Sequence, residues 1–367
     1  MTEENRERAP RPAWLLPTPA RQDEPQSGTG LRALLLRLMR GEDLRREEAT
    51  ALLDALLDGE ATDAQIAAAL VALAVKGETV EELAGMAQAM RSRATRINCR
   101  HERFVDTAGT GSSRAKTFNV STAAAFVIAG AGLAVAKHGS RAATSRSGSA
   151  DVLTALGVNV SAGPSVSENC LNELGICFMF APLYHGATKR VAGVRRELGV
   201  HTTFNLLGPL TNPAGARRQL IGVWHRALAE PVAEALVRLG TERAWVVHGS
   251  DGLDEVTLAG ATFVAEAHGG RVKTFETKPE AFGFERAELA HLRGGDADAN
   301  ARIIRAVLDG TRRDAARALV VANAAAALLV GGSAEDLRSA AGLAEESIDS
   351  GAALAKLEEL IKTTNVP

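Results

Sequence analysis

The chain has 367 residues and a formal net charge of −2, with 44 acidic against 42 basic residues. This balance gives no whole-chain attraction to nucleic acid or to an anionic membrane, although it allows a local basic site. The three cysteines, Cys99, Cys170 and Cys177, lack metal-ligand spacing and are interpreted as reduced thiols of a cytoplasmic protein. No apolar stretch reaches the length that spans a bilayer.

The amino-terminal part divides into a tail and a helical unit. Positions 1–29 are rich in Pro, Arg and Glu and are predicted to be a disordered tail. Four short amphipathic helices are predicted from Leu31 to about Ile97. Thr62 opens the third helix, and Thr79 caps the fourth with Glu82 three residues later as a capping box. These helices are expected to form a small helical domain.

From Phe104 onward, short apolar strands alternate with glycine-containing turns and Ala-rich helices. Strands are predicted at 104–108, 133–136 and 244–247, helices at 122–130 and 150–156, and an almost wholly helical segment after His291. This order indicates an α/β fold with a mostly parallel central sheet flanked by helices. Ligands of such sheets bind outside the carboxyl ends of the strands, where the polar segments of this chain are predicted to lie.

Two of these segments suit an anion. The first runs from Gly109 through 110–113 to 117–122, at the start of a predicted helix. Its glycines and the free amides of the first helical turn can bind phosphate or diphosphate. The alternative interpretation is a glycine turn followed by a Ser/Thr helix cap. The second, Lys137-His138-Gly139-Ser140-Arg141, follows an apolar strand and precedes a Ser-rich segment, 144–151. It indicates an anion pocket, or else a solvated basic turn.

Two further segments concern a metal and a hinge. The adjacent carboxylates Asp254 and Glu255 follow the 244–247 strand; they are either solvated surface groups or ligands for the Mg²⁺ that a phosphate substrate requires, provided that the sites share one crevice. In the segment 189–213, the arginines line a site or an exposed helix face, while Gly208-Pro209 and Asn212-Pro213 indicate a stiff connector.

In order and spacing, these segments resemble the anthranilate phosphoribosyltransferase family from about Leu31 to the C-terminus. The resemblance implies transfer of a phosphoribosyl group from phosphoribosyl pyrophosphate to the amino group of anthranilate, in tryptophan synthesis. It also implies a nucleoside phosphorylase-like fold, with a helical domain at 30–97 plus about 184–210 and an α/β domain at 98–183 plus 211–367. A homodimer formed through the helical domain is expected, without nucleic acid or membrane partners.

The resemblance also implies roles for individual residues. For phosphoribosyl pyrophosphate they are Gly109, Thr110, Gly111, Ser112, Ser113, Thr117, Asn119, Ser121, Thr122, Lys137 and Ser149. For anthranilate they are Gly109, His138, Gly139, Ser140, His185 and Arg195, with Arg195 facing the carboxylate. Ser121, Asp254 and Glu255 are expected to hold two Mg²⁺ ions, and Lys137 with the two acids is expected to provide electrostatic catalysis.

The chain departs from the family pattern at two places. Where the family usually reads Gly-Thr-Gly-Gly-Asp-Gly, Ser112-Ser113-Arg114 follows Gly111, so a carboxylate is lost and an arginine gained. Where it usually reads Lys-His-Gly-Asn-Arg, the fourth position is Ser140, which replaces an asparagine that contacts anthranilate in the family. A pyrimidine nucleoside phosphorylase is the alternative enzyme, disfavoured by the carboxylate pair. A non-catalytic nucleic-acid-binding relative is disfavoured by the charge balance.

Overall fold

The computed structural model describes residues 30–111, 117–142 and 147–366. The tail at 1–29 and the substituted residues Ser112, Ser113 and Arg114 lie outside these ranges, as do 115–116, 143–146 and Pro367. No helix in the described ranges is both long enough and apolar enough to cross a membrane.

The first four helices are α1 (Leu31–Met39), α2 (Arg46–Leu57), α3 (Asp63–Lys76) and α4 (Val80–Arg93). The predicted capping box of α4 is confirmed: Thr79 Oγ1 accepts from the Glu82 amide, and the Glu82 carboxylate accepts from the Thr79 amide. The same reciprocal pair at Thr62 and Gln65 begins α3. Both boxes satisfy amides that have no partner within the first helical turn.

A single seven-stranded sheet forms the centre of the rest of the chain, in the order β3-β2-β1-β4-β5-β6-β7. Strands β1 to β5 pair in parallel, and β6 and β7 add an antiparallel hairpin at one edge. The strands are β1 (Phe104–Gly109), β2 (Ala134–Gly139), β3 (Ile176–Phe180), β4 (Arg218–Gly222), β5 (Arg243–Gly249), β6 (Thr262–His268) and β7 (Arg271–Thr277).

Helices cover both faces of the sheet, so the predicted α/β class with an additional helical unit is confirmed. One apolar cluster lies between the sheet and the later helices, and a second continues from the sheet through the helix at 229–238 into α1–α4 and the helices at 189–198 and 203–210. The remaining helices are α5 (Val120–Gly130), α6 (Ser149–Ala155), α7 (Pro164–Asn169), α8 (Ala181–Tyr184), α9 (Lys189–Leu198), α10 (Thr203–Leu210), α11 (Ala229–Arg238), α12 (Pro279–Phe282), α13 (Ala297–Leu308), α14 (Ala315–Gly331), α15 (Leu337–Asp349) and α16 (Ala352–Thr364).

Two local predictions were wrong. Strand β2 continues through Gly139, so Lys137 and His138 are buried strand residues and do not form a turn after the strand. Pairing with β3 continues over these positions and keeps the backbone extended. Gly208 and Pro209 lie in the last turn of α10, where the sequence had indicated a connector.

Candidate active site

A cavity of about 500 Å³ opens at the carboxyl ends of β1, β2 and β3, beside the loop that follows β5, and extends to α9 and α10. From β1, the strands β2 and β3 are added towards one edge of the sheet, whereas β4 and β5 are added on the other side of β1. The cavity therefore lies at the switch point between β1 and β4, the place where open α/β sheets bind ligands.

The acidic loop after β5 fits against two glycines that end neighbouring strands. The Gly111 amide donates a 3.0 Å hydrogen bond to Asp254 Oδ2. A Cβ on Gly109 would lie 3.3 Å from the same oxygen, and one on Gly222 would lie 1.6 Å from the Asp254 carbonyl oxygen. Only glycine at position 222 therefore lets the loop approach so closely, which fixes Asp254 beside the glycine turn.

Lys137 projects from β2 towards the beginning of α5. Its Nζ donates to the Thr107 carbonyl and lies 3.3 Å from Ser121 Oγ. The side chain is buried, and burial lowers the pKa of Lys137, whereas the nearby carboxylates of Asp106 and Glu255 oppose that shift. The structure thus places a cation between the ends of β1 and α5.

Glu255 lines the cavity beside Asp254. Burial and the Asp254 carboxylate raise the pKa of Glu255 to about 8, while Lys137 and a hydrogen bond from the Ser121 amide oppose this. Two adjacent carboxylates that repel each other favour a bound cation. Oxygen ligands of this type are those that Mg²⁺ prefers, so Asp254, Glu255 and the Ser121 hydroxyl fit such an ion.

A set of side-chain amides and hydroxyls shapes the cavity wall at the start of α5. Asn119 Nδ2 donates to the Ser147 carbonyl at 3.1 Å, and its Oδ1 accepts from Ser147 Oγ at 3.2 Å and from Asn300 Nδ2 at 3.0 Å. Thr117 forms an isolated backbone bridge with Arg293. These bonds hold the segment that leads into the first turn of α5.

Two histidines line the side of the cavity towards α8. The ring centroids of His138 and His185 are 5.1 Å apart. Burial lowers the pKa of His138 to about 3, with further lowering by His185, and burial lowers the pKa of His185 to about 4. Hydrogen bonds to the carbonyls of Gly208 and Thr211 only partly offset these shifts. Both rings are therefore neutral at physiological pH.

Arg195 extends from α9 into the cavity. Its guanidinium carbon lies 5.0 Å from the ring centroid of Phe204 on α10, and burial lowers the pKa of Arg195. Within the described ranges, no carboxylate pairs with it. The next residue, Arg196, is exposed. A half-buried, ring-supported guanidinium that has no internal anion suits an anionic substrate group.

The structure brings almost all the sequence-predicted residues together. Those that line the cavity are Gly109, Thr110, Gly111, Thr117, Asn119, Ser121, Thr122, Lys137, His138, Gly139, Ser140, Ser149, His185, Arg195, Asp254 and Glu255. Ser149 Oγ donates to the Ser140 carbonyl at 3.3 Å. Ser112 and Ser113 lie outside the described ranges.

Sequence reasoning missed a buried pair beneath the cavity. Asp106 Oδ2 accepts from Asn212 Nδ2 at 2.8 Å, and its Oδ1 accepts from the His138 amide at 3.2 Å. Burial raises the pKa of Asp106 to about 6, against the effects of Lys137 and Asn212. An acid within an otherwise apolar strand was the available signal, because a buried carboxylate needs partners.

Comparisons with known proteins agree with this architecture. Residues 32–94 match the helical bundle domain of the glycosyl transferase family, and residues 101–354 match its a/b domain. An anthranilate phosphoribosyltransferase of Moorella thermoacetica is 54% identical over 331 residues, covering 90% of this chain and 97% of the relative.

Solved structures give the same result. The crystal structure of anthranilate phosphoribosyltransferase from Thermus thermophilus has a TM-score of 0.86 and 42% identity, covering 91% of this chain and 99% of that one. The Saccharomyces cerevisiae enzyme in complex with phosphoribosyl pyrophosphate and Mg has a TM-score of 0.83 and 29% identity, covering 92% and 99%. The chain therefore belongs to the anthranilate phosphoribosyltransferase family of glycosyl transferases.

Proposed function

We propose that this chain transfers the 5-phosphoribosyl group of phosphoribosyl pyrophosphate to the amino group of anthranilate, releasing diphosphate, as a step of tryptophan synthesis in the cytoplasm. The observation that carries the proposal is the shared cavity. The Asp254–Glu255 pair, the 109–111 glycine turn, Lys137 and Arg195 all line it.

The donor side of the cavity suits a departing diphosphate. As the bond from the anomeric carbon to diphosphate breaks, positive charge develops on ribose and negative charge on the leaving group. Lys137 and the amides at the start of α5 lie where they can stabilise that leaving charge. The glycine turn allows the diphosphate to approach the backbone closely.

The carboxylate pair completes the donor site. Asp254, Glu255 and the Ser121 hydroxyl would hold Mg²⁺, for which we propose two ions, as in the family. Bound Mg²⁺ neutralises diphosphate oxygens and makes diphosphate a better leaving group. Burial and the neighbouring Asp254 carboxylate raise the pKa of Glu255, and a bound cation would relieve the repulsion between the two acids.

The acceptor side lies between β2, α8 and α9. Arg195 would bind the carboxylate of anthranilate, while Gly109, Gly139, Ser140 and the neutral rings of His138 and His185 would line its path. Because both imidazoles are neutral, Arg195 would be the side chain that favours an acceptor with a negative charge. An aromatic amine needs little deprotonation before it attacks, so positioning opposite the diphosphate is the main requirement.

The activity is tested directly by mixing the protein with anthranilate, phosphoribosyl pyrophosphate and Mg²⁺ and following the loss of anthranilate fluorescence. Asp254→Asn with Glu255→Gln should lower kcat at least about 100-fold, because the charge that assists the leaving group is lost. Glu335→Gln, an exposed glutamate between α14 and α15, is the control. Near-normal turnover of the double variant would refute the metal assignment.

The acceptor assignment is tested separately. Arg195→Ala should raise the KM for anthranilate about 10-fold or more and leave the KM for the ribosyl donor nearly unchanged, because only the acceptor loses a charged hydrogen bond. Arg196→Ala removes the same charge from the exposed face of α9 and should change neither constant. Equal increases in both constants for Arg195→Ala would show that it does not bind the acceptor carboxylate.

For the assembly, we propose the family arrangement: a helical domain at 30–97 plus about 184–210, an α/β domain at 98–183 plus 211–367, and a homodimer formed through the helical domain. The packing of α9 against α2 and α3, and of α10 against α3 and α4, supports the grouping of these helices. Exposed apolar side chains on α1 and α3 support the interface.

A further inference from the structure

A second cavity lies at the amino-terminal edge of the sheet, opposite the edge that carries the active site. It has a volume of about 430 Å³ and is bounded by the first residues of β1 and β4, the connector between α4 and β1, and the turn before β4. Its charged lining consists of Arg91, Arg96, Arg103, Arg217 and Arg218, with Glu102 and Glu242. The lining thus carries an excess of three positive charges.

Most of these arginines have no carboxylate of their own. Glu242 is shared by Arg217, at 3.0 Å, and Arg218, at 3.1 Å. Arg103 donates to the Gly332 carbonyl at 3.0 Å. Arg96 is exposed and forms no hydrogen bond or ion pair with any residue in the described ranges.

Arg91 is the innermost of the set. Its Nε donates to the Leu210 carbonyl at 2.7 Å and its Nη1 to the Leu239 carbonyl at 3.4 Å, and within the described ranges it contacts no carboxylate. These bonds to the carboxyl-terminal ends of α10 and α11 orient the guanidinium, and the two helix ends, at about half an elementary charge each, together offset much of its positive charge. Much of the uncompensated charge of the cavity therefore lies with Arg96 and Arg103, neither of which pairs with a carboxylate in the described ranges.

We propose that this cavity binds a small phosphorylated anion at a site separate from the active site. Guanidinium groups present a planar fork of donors that matches phosphate oxygens, and several of them around one concavity suit a polyanion better than a single carboxylate. The cavity volume is within the range of small-molecule sites. Capping of helix ends accounts for the carbonyl contacts, but not for the exposed Arg96 beside Arg91.

Equilibrium dialysis with radiolabelled pyrophosphate, in EDTA and at low salt, tests the site. Wild type should bind one pyrophosphate more per chain than Arg96→Ala combined with Arg103→Ala, and affinity at that site should fall about tenfold for each guanidinium removed, equivalent to about 1.4 kcal/mol. Arg302→Ala, which removes an exposed arginine from α13, should retain the wild-type number. The difference in stoichiometry is independent of whether the active site also binds pyrophosphate.

Two outcomes would overturn the proposal. One is an equal number of bound pyrophosphates in wild type and the double variant, with folding of the variant verified by circular dichroism. The other is that citrate displaces the labelled pyrophosphate at the same concentration as unlabelled pyrophosphate does. That result would identify a general anion-binding patch without preference for phosphoryl groups. Orthophosphate competing more weakly than pyrophosphate would support a ligand with more than one phosphoryl charge.

Discussion

Gly222 shows how a residue without a side chain controls the position of the proposed metal ligands. It ends β4, pairs with Gly109 of β1, and lies under the backbone of Asp254. We predict that Gly222→Ala displaces the acidic loop, since a Cβ would lie 1.6 Å from a backbone oxygen that no rotamer change can move. kcat should fall at least about 100-fold, the scale of a misplaced electrostatic group.

The matched control is Gly342→Ala in α15, where an added Cβ meets no atom within 4 Å. This change should leave kcat unaltered and raise the melting temperature slightly, because alanine is a better helix former than glycine by roughly 1 kcal/mol. Unchanged turnover in Gly222→Ala, measured by the fluorescence assay, would contradict the close contact between β4 and the acidic loop.

At the residue scale, the sequence allowed the charged side chains of the site to be identified, but not the residues that pack against them. Lys137 and Asp254 could be singled out because they follow apolar strands, Arg195 was assigned only through the family resemblance, and the structure places all three on one cavity. Gly222 and Asn212 could not, because their importance depends on contacts with Asp254 and Asp106 that are distant in the chain. Local patterns do not encode such tertiary contacts.

Among the helices, the beginning of α2 is stabilised by one charged side chain, that of Glu48. Glu48 Oε2 accepts from the Arg45 amide at 2.8 Å, and its Oε1 accepts from the side chains of Arg37 and Arg45. The side-chain and backbone hydrogen bonds of Arg45 lower the pKa of Glu48 to about 2, although burial opposes the shift. The charged carboxylate therefore stabilises the beginning of α2.

The direction of the pH effect follows from that shift. Because the pKa of Glu48 is lower in the folded protein than its ordinary value of 4.5, the stabilisation is complete above about pH 4.5 and is lost as pH falls towards 2. Glu48→Gln should lower stability by about 1 kcal/mol at neutral pH, as for loss of a helix cap, and by progressively less below about pH 4.5.

Thermal unfolding at about pH 6 and about pH 3, on either side of the ordinary glutamate pKa, measures this difference. The control is Glu47→Gln, which removes a neighbouring exposed carboxylate from the same first turn. The deficit of Glu48→Gln relative to wild type should be smaller at the acidic pH, whereas Glu47→Gln should stay close to wild type at both. A constant deficit of the Glu48 variant at both pH values would contradict the assigned charge effect.

Elements were predictable where one pattern dominated. The four amino-terminal helices carry caps and a helical repeat, and the predicted starts at Thr62 and Thr79 lie directly before the observed first residues of α3 and α4. Strand β2 was ended too early because Lys137 and His138 look solvent-exposed in sequence, although pairing with β3 extends the strand. The β6–β7 hairpin was missed even though Gly269 and Gly270 separate two alternating segments, since a hairpin interrupts the strand–helix alternation that governs the preceding chain.

At the scale of the whole molecule, the helical unit and the sheet share one apolar cluster. It runs from Leu34 and Leu70 in the helical unit to Val246 and Ala265 in the sheet. The active-site cavity is also lined from both sides, by Arg195 of α9 and by the ends of the strands. Residues of a single chain therefore line this cavity from both sides within the described ranges.

The outer face of α3 nevertheless carries an apolar stripe. Ala64, Ala68, Val71 and Val75 recur at helical spacing and are exposed, with Val75 82% accessible. Met39 at the end of the adjacent α1 is also exposed. An exposed stripe of this kind on a folded chain is typical of a surface that another protein covers, and the proposed homodimer would cover it with its own copy.

Val71→Asp combined with Val75→Asp should therefore convert a dimer into a single chain of 38.4 kDa, because burying two carboxylates at an apolar interface is costly. Light scattering coupled to size-exclusion chromatography measures the mass, and Val200→Asp, at an exposed valine after α9, is the control. Since one chain lines the cavity, the single chain should keep most of its activity. A wild-type mass of one chain at micromolar concentration, or a double variant that remains dimeric, would place the interface elsewhere.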